Sequence, residues 1–168
     1  MTMHLNGRLD EQITPVVAAA GLLLTSTLGD TKYFSMKGHR RCMIVISIAD
    51  GTTVTGSTIT LKQATAVAGT GEKALAFTRM LSSVDYPTAA MAETAVTSNT
   101  FTTQTTNSKD SVYVIDVGSE DLDVANGFDC FRVDGTGHAA TASRGAVGLY
   151  IGYGKRYSGT TPAEAVLD

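Results

Sequence analysis

Polar and apolar positions along the chain alternate in short runs, broken about every 8 to 15 residues by Gly, Asn-Gly, Asp-Gly or clusters of Thr and Ser. Cys42 to Ala49 (CMIVISIA) is the strongest strand signal. Met43 to Ile46 are continuously apolar, which predicts burial on both faces. Asp50-Gly51 ends that run with a pair that favours a tight turn. Ser57 to Lys62 sets Ile59 and Leu61 on one face and Thr58, Thr60 and Lys62 on the other, which predicts a half-buried strand. Ser111 to Val117, Phe128 to Val133 and Ala146 to Tyr153 read as further strands. In the last, Gly148 and Gly152 allow another group to approach closely.

Weaker signals fill the gaps. Lys32 to Met36 is a short strand, and Gly38 to Arg41 a positively charged turn. Lys73 to Met80 reads as a strand or as two turns of helix, because its alternation is uneven. Ser82 to Ala92 is a loop broken at Tyr86-Pro87, and Thr94 to Gln104 holds two short strands around Ser98-Asn99. Glu120 to Asp123 is a short acidic turn. Thr161-Pro162-Ala163-Glu164 is a capping box that could open a helix of about two turns.

This pattern has seven to nine short strands and no alternation of strand with helix. It predicts an all-β protein, an antiparallel β-sandwich or barrel, with a jelly-roll-like or Ig-like sandwich preferred. The expected organisation is an N-terminal arm over 1–29, a sandwich over 30–157 and a tail over 158–168. The first segment is Leu- and Ala-rich. It reads as an arm that packs on something else, or as an ordinary first strand followed by a loop.

Composition narrows the class. The 168 residues suit one domain, and only 17% are charged, against about 25% in an average soluble protein. Threonine, about one residue in seven, supplies polarity and favours strands. A net charge of -3 argues against a nucleic-acid partner. The nine-residue run Val16 to Leu24 is too short to span a bilayer. Asp10 and Glu11 before it make a poor signal peptide. The expectation is a soluble protein made in a cytosol, with no membrane partner. Cys42 and Cys130 sit in apolar runs and read as buried thiols; a disulfide requires their strands to be neighbours.

No catalytic constellation emerges. His4, His39 and His138 lack partners at metal-ligand spacing and read as solvated loop residues. No GxSxG marks a nucleophile, and neither Gly69-Thr70-Gly71-Glu72-Lys73 nor Gly154-Lys155 has phosphate-loop spacing. Glu120, Asp121, Asp123, Asp129 and Asp134 could hold calcium, yet no EF-hand pattern is present and such turns are usually only solvated. The expected catalytic, metal and cofactor residues are therefore none. Lys37, His39, Arg40 and Arg41 form the basic cluster, either a charged turn or a contact for acidic side chains of a protein partner.

Several segments taken in order carry a resemblance. They are Asp30 to Gly38, Ile59 to Ala64, Gly71 to Phe77, Thr94 to Phe101, Tyr113 to Asp116, and Asp121 to Asp123 running on to Gly127 to Cys130. This series, over about residues 30 to 157, resembles a family of small virion proteins encoded among the head genes of tailed bacteriophages. The resemblance implies a structural protein, first of all a head decoration (cement) protein. Such a protein sits on the outside of the expanded capsid and clamps major capsid subunits, often as a homotrimer at three-fold positions. It implies a location on the virion capsid surface after assembly in the bacterial cytoplasm, and it carries over no catalytic residue. Other virion parts (neck, tail or head-fibre base) and a carbohydrate-binding β-sandwich remain open, the last disfavoured by the absence of Trp. The residues expected at the partner interface are Leu5, Leu9, Ile13, Val16, Val17, Leu22, Leu23 and Leu24 of the arm, with Arg40 and Arg41. Apolar side chains left exposed in this way normally mark a contact.

Overall fold

Two-residue periodicity and β-branched side chains build eleven strands among the described residues, 14–23, 32–49, 56–105, 109–135 and 145–155, of a computed structural model. In chain order they are β1 (Thr14–Leu23), β2 (Phe34–Ser35), β3 (His39–Ala49), β4 (Thr58–Ala64), β5 (Lys73–Ala74), β6 (Arg79–Ser83), β7 (Ala92–Ala95), β8 (Thr100–Thr102), β9 (Ser111–Gly118), β10 (Cys130–Gly135) and β11 (Gly145–Lys155). They form an all-β sandwich of two antiparallel sheets. One sheet has the order β1-β11-β3-β9-β6-β7. The other has the order β2-β10-β4-β5, with β8 also on β4. The chain passes repeatedly from one sheet to the other, so neighbours in sequence are seldom neighbours in a sheet.

The core is the seam between the sheets. From β3 it takes Cys42, Ile44, Ile46 and Ile48, every second residue, all fully buried. In register beside them stand Tyr113, Ile115 and Val117 of β9, and Ala146 and Tyr150 of β11. The facing sheet contributes Phe34, Ile59, Leu61, Phe101, Phe131 and Val133. Phe34, Phe131 and Tyr150 meet as a three-ring cluster with centroids 5.4–5.5 Å apart. Such tilted and edge-on pairs add to the stabilisation from burial.

One hydrogen bond ties the sheets directly. β2 is only two residues long, and among the described residues its pairing with β10 stops at Phe131. There the Val133 N–H donates to the Tyr150 hydroxyl at 2.9 Å, in a buried setting. Burial pushes the Tyr150 phenol well above its usual range, so it stays neutral.

Several expectations are corrected. Met43 to Ile46 are not buried on both faces: Ile44 and Ile46 point into the seam, while Met43 and Val45 are half-buried on the far side. His39, expected in a solvated loop, is a buried residue at the start of β3. Its ring lies so close to Gly152 that a Cβ there would stand 2.7 Å from it, which explains the glycine. Arg40 and Arg41 continue β3 instead of forming a turn. Lys73 to Met80 holds no helix; it carries β5 and the start of β6, with Leu75 buried between them. The described residues hold eleven strands rather than seven to nine, because several are only two to four residues long. The capping box at 161–164, the Asp50-Gly51 turn, His4 and His138 lie outside the described residues.

Tyr150→Phe is expected to keep the fold and to lower unfolding stability by about 1–3 kcal/mol, because it strands the buried Val133 N–H. Urea unfolding of the two proteins measures this. An unchanged midpoint would show that the bond does not hold the sheets together.

Candidate functional site

The two sheets present unlike faces to the outside. On the five-stranded sheet the outward positions are Thr58, Thr60 and Lys62 of β4, Thr100 and Thr102 of β8, and Arg132 and Asp134 of β10. Lys62 and Arg132 stand directly opposite each other on adjacent strands. Two like charges in that position repel unless neutralised. Here two carboxylates do so. Lys62 Nζ lies 3.0 Å from Asp134 and 3.3 Å from Glu72, and Arg132 lies 2.7 Å from Asp134 and 3.3 Å from Glu72. The Arg132 guanidinium also sits 4.6 Å from the centre of the Tyr33 ring. The Tyr33 hydroxyl, then Lys62 and Arg132, hold the Glu72 carboxyl below the usual carboxylate range, against an opposing effect of burial. This network closes on itself and fixes the loop that carries Glu72.

The acidic turn is likewise consumed by structure. Gln63 is buried; its side chain donates to the Ala74 carbonyl at 3.0 Å and accepts the Asp123 N–H at 2.9 Å. Lys73 pairs with Asp123 and lies 4.0 Å from the centre of the Phe128 ring. Lys73, then Asn126, hold the Asp123 carboxyl below its usual range. Asp121 accepts the Gly118 N–H at 2.7 Å. Among the described residues, no three His, Cys, Asp or Glu side chains converge as metal ligands. Cys42 and Cys130 are free and buried, one in each sheet. Burial pushes both thiols up, Cys130 to about 12 with Asp129 adding to the shift.

The outer face of the six-stranded sheet is different. Four strands in register set Leu149, Val45, Val114 and Leu81 in one row across it. On the far side of β11, the backbone of Val17 in β1 pairs in register with Leu149. Val147 and Val112 flank Ser47 in the next row, and Ile151 and Met43 lead to Asp116 in the row on the other side. Leu81 is 43% exposed and Val147 46%, and the six between them on β3, β9 and β11 are half-buried. A sheet with one face on the core and one in water normally alternates apolar with polar. β3, β9 and β11 instead carry apolar side chains in both phases. Beyond this face, the loop after β6 exposes Val84, Tyr86 and Met91.

Charge lies at one end of the face and at its β6–β7 edge, where Glu93 stands opposite Leu81 and pairs with Arg79 at 3.4 Å. Arg41 donates to Asp116 at 2.9 Å and to Glu120 at 2.7 Å, and the Tyr153 hydroxyl donates to Asp116 at 2.8 Å. The Arg41 cluster is neutralised within the chain apart from one carboxylate charge at its exposed edge.

The residues expected at an interface separate into three groups. Val16, Val17, Leu22 and Leu23 belong to β1, whose backbone pairs along β11. So the segment expected as an arm carries β1 of the six-stranded sheet. Leu5, Leu9, Ile13 and Leu24 lie outside the described residues. Arg40 is exposed on β3, whereas Arg41 is engaged by the chain's own carboxylates. The outer-face row was missed in the sequence, although its signal was present: apolar residues at the odd positions Met43 and Val45, beside the buried even ones. Comparison with protein-family models, with curated proteins and with solved structures finds no match to this chain.

The depressed Glu72 pKa has a signed consequence. Its contribution to stability is present above the range in which an unfolded glutamate titrates, near pH 4.3, and is lost as pH falls through the lower folded value. Glu72→Gln is expected to be less stable than the parent at pH 7, and the two are expected to converge as pH falls below the range in which an unfolded glutamate titrates. Urea midpoints measured against pH check this. A gap that persists undiminished in acid would mean that the Glu72 network contributes nothing through its charge.

Proposed function

We propose that this chain is a virion structural protein of a tailed bacteriophage, a head decoration protein. It binds the outside of the capsid, associates with its own kind and stabilises contacts between major capsid subunits. The observation that best supports this reading is the apolar outer face of the six-stranded sheet. A protein that spends its life free in water gains nothing from a row of Leu and Val on a solvent face; a component of an assembly does. The series of segments from Asp30 to Cys130 that resembles phage head-gene proteins points the same way.

The charged side chains support a role in assembly over one in catalysis. Lys62, Arg132, Glu72 and Asp134 are engaged with one another, as are Arg41, Asp116 and Glu120. The low charge also suits a subunit packed at high local density, where like-charge repulsion between neighbours accumulates. Each attachment can be modest, because a shell offers many equivalent positions.

Removing residues 1–29 would also remove β1, so such a truncation would test the sheet as well as any arm. The intact chain is the better probe. Added to heads that lack it, the purified chain is expected to cosediment with them, saturating at a fixed number per head. Failure to cosediment with such heads at micromolar concentration would contradict the decoration reading.

A further inference from the structure

We infer that the outer face of the six-stranded sheet is a contact between two copies of this chain, laid face to face about a two-fold axis. The inference rests on the reading of this face as a contact surface and not on the virion assignment.

Three observations select a second copy as the occupant. The first is area. Each strand residue covers about 16 Å² of sheet, from a rise of about 3.3 Å on a strand spacing of about 4.8 Å, so the six strands present about 800 Å². That is the area per partner of a standard-size stable interface. The second is the chemistry of the face. The row Leu149, Val45, Val114 and Leu81 at its centre offers no donor, acceptor or charge. A partner with a charged or strongly polar surface would have to bury those groups unpaired against this row; an identical row adds none. The third is the position of the charges that do exist. Arg41, Asp116, Glu120 and Tyr153 engage one another at one end of the face, and Arg79 pairs with Glu93 at its β6–β7 edge, so each of these charged side chains already has a partner within its own copy. An isologous contact needs only self-complementarity, and a flat apolar row on a twisted sheet meets that need.

The opposite sheet makes the choice specific. Its outward positions are threonines and closed ion pairs, a surface that water already satisfies. Face-to-face pairing through the apolar sheet leaves that polar surface on both outsides of the dimer.

Sedimentation equilibrium of the purified full chain, from about 1 to 100 µM with no particles present, tests this. The expected mass is twice that of the 17.5 kDa chain. Leu81→Lys and Val147→Lys both place a charge where a single copy has water, so each monomer is expected to fold, as circular dichroism can verify. Each is expected to weaken self-association at least about ten-fold. Val124→Lys, on an exposed turn away from the face, is expected to leave the mass unchanged. A chain that stays monomeric throughout, or one that forms three-chain rings, overturns the proposal. So does a dimer that neither Leu81→Lys nor Val147→Lys weakens. None of these results bears on whether the protein attaches to heads, which is measured on particles.

Discussion

The packing of one apolar face of each sheet against the other is the constraint on which the molecule depends. Neither sheet could exist alone: the five-stranded one contains strands of two and three residues, which have no independent stability. Ile44, Ile46 and Ile48 supply a rigid β-branched wall, and Phe34, Phe131 and Tyr150 fill the space opposite and beside it. The Tyr150 hydroxyl then serves a backbone donor that its own sheet cannot reach. With that seam in place, the outward side chains of both sheets are free to differ, and function can reside in the difference.

They do differ. One sheet turns threonines and a neutralised Lys-Arg-Glu-Asp network to the outside, and the other turns valines and leucines. The first surface is stable in water as it stands. The second lowers its free energy only by being covered. This asymmetry gives the sandwich a polar side and an apolar side, with the charged side chains named above paired among themselves. The proposed assembly role rests on that arrangement and not on any one residue.

Much of the fold was legible in the sequence because the seam has a clean two-residue period. Ile59 and Leu61 alternate with Thr60 and Lys62, and they lie where that pattern puts them. The arrangement of strands was not legible. β7 and β8 are adjacent in sequence yet pair with β6 and β4 in different sheets, through contacts that no local pattern encodes. His39 was misread because its burial comes from the close approach of Gly152, 113 positions away in sequence, and from the ring of Phe34. Met43 and Val45 were misread for a related reason. A continuous apolar run is the same string whether its second face lies under another layer or on an adhesive surface. The candidate contact face was therefore present as a composition signal and absent as a location.

Quantitative mass spectrometry of purified phage particles counts the copies of this chain per head. The account predicts hundreds of copies, retained when the heads are emptied of DNA. Absence from the particles would contradict it, and about a dozen copies would contradict a place on the shell in favour of the neck or tail.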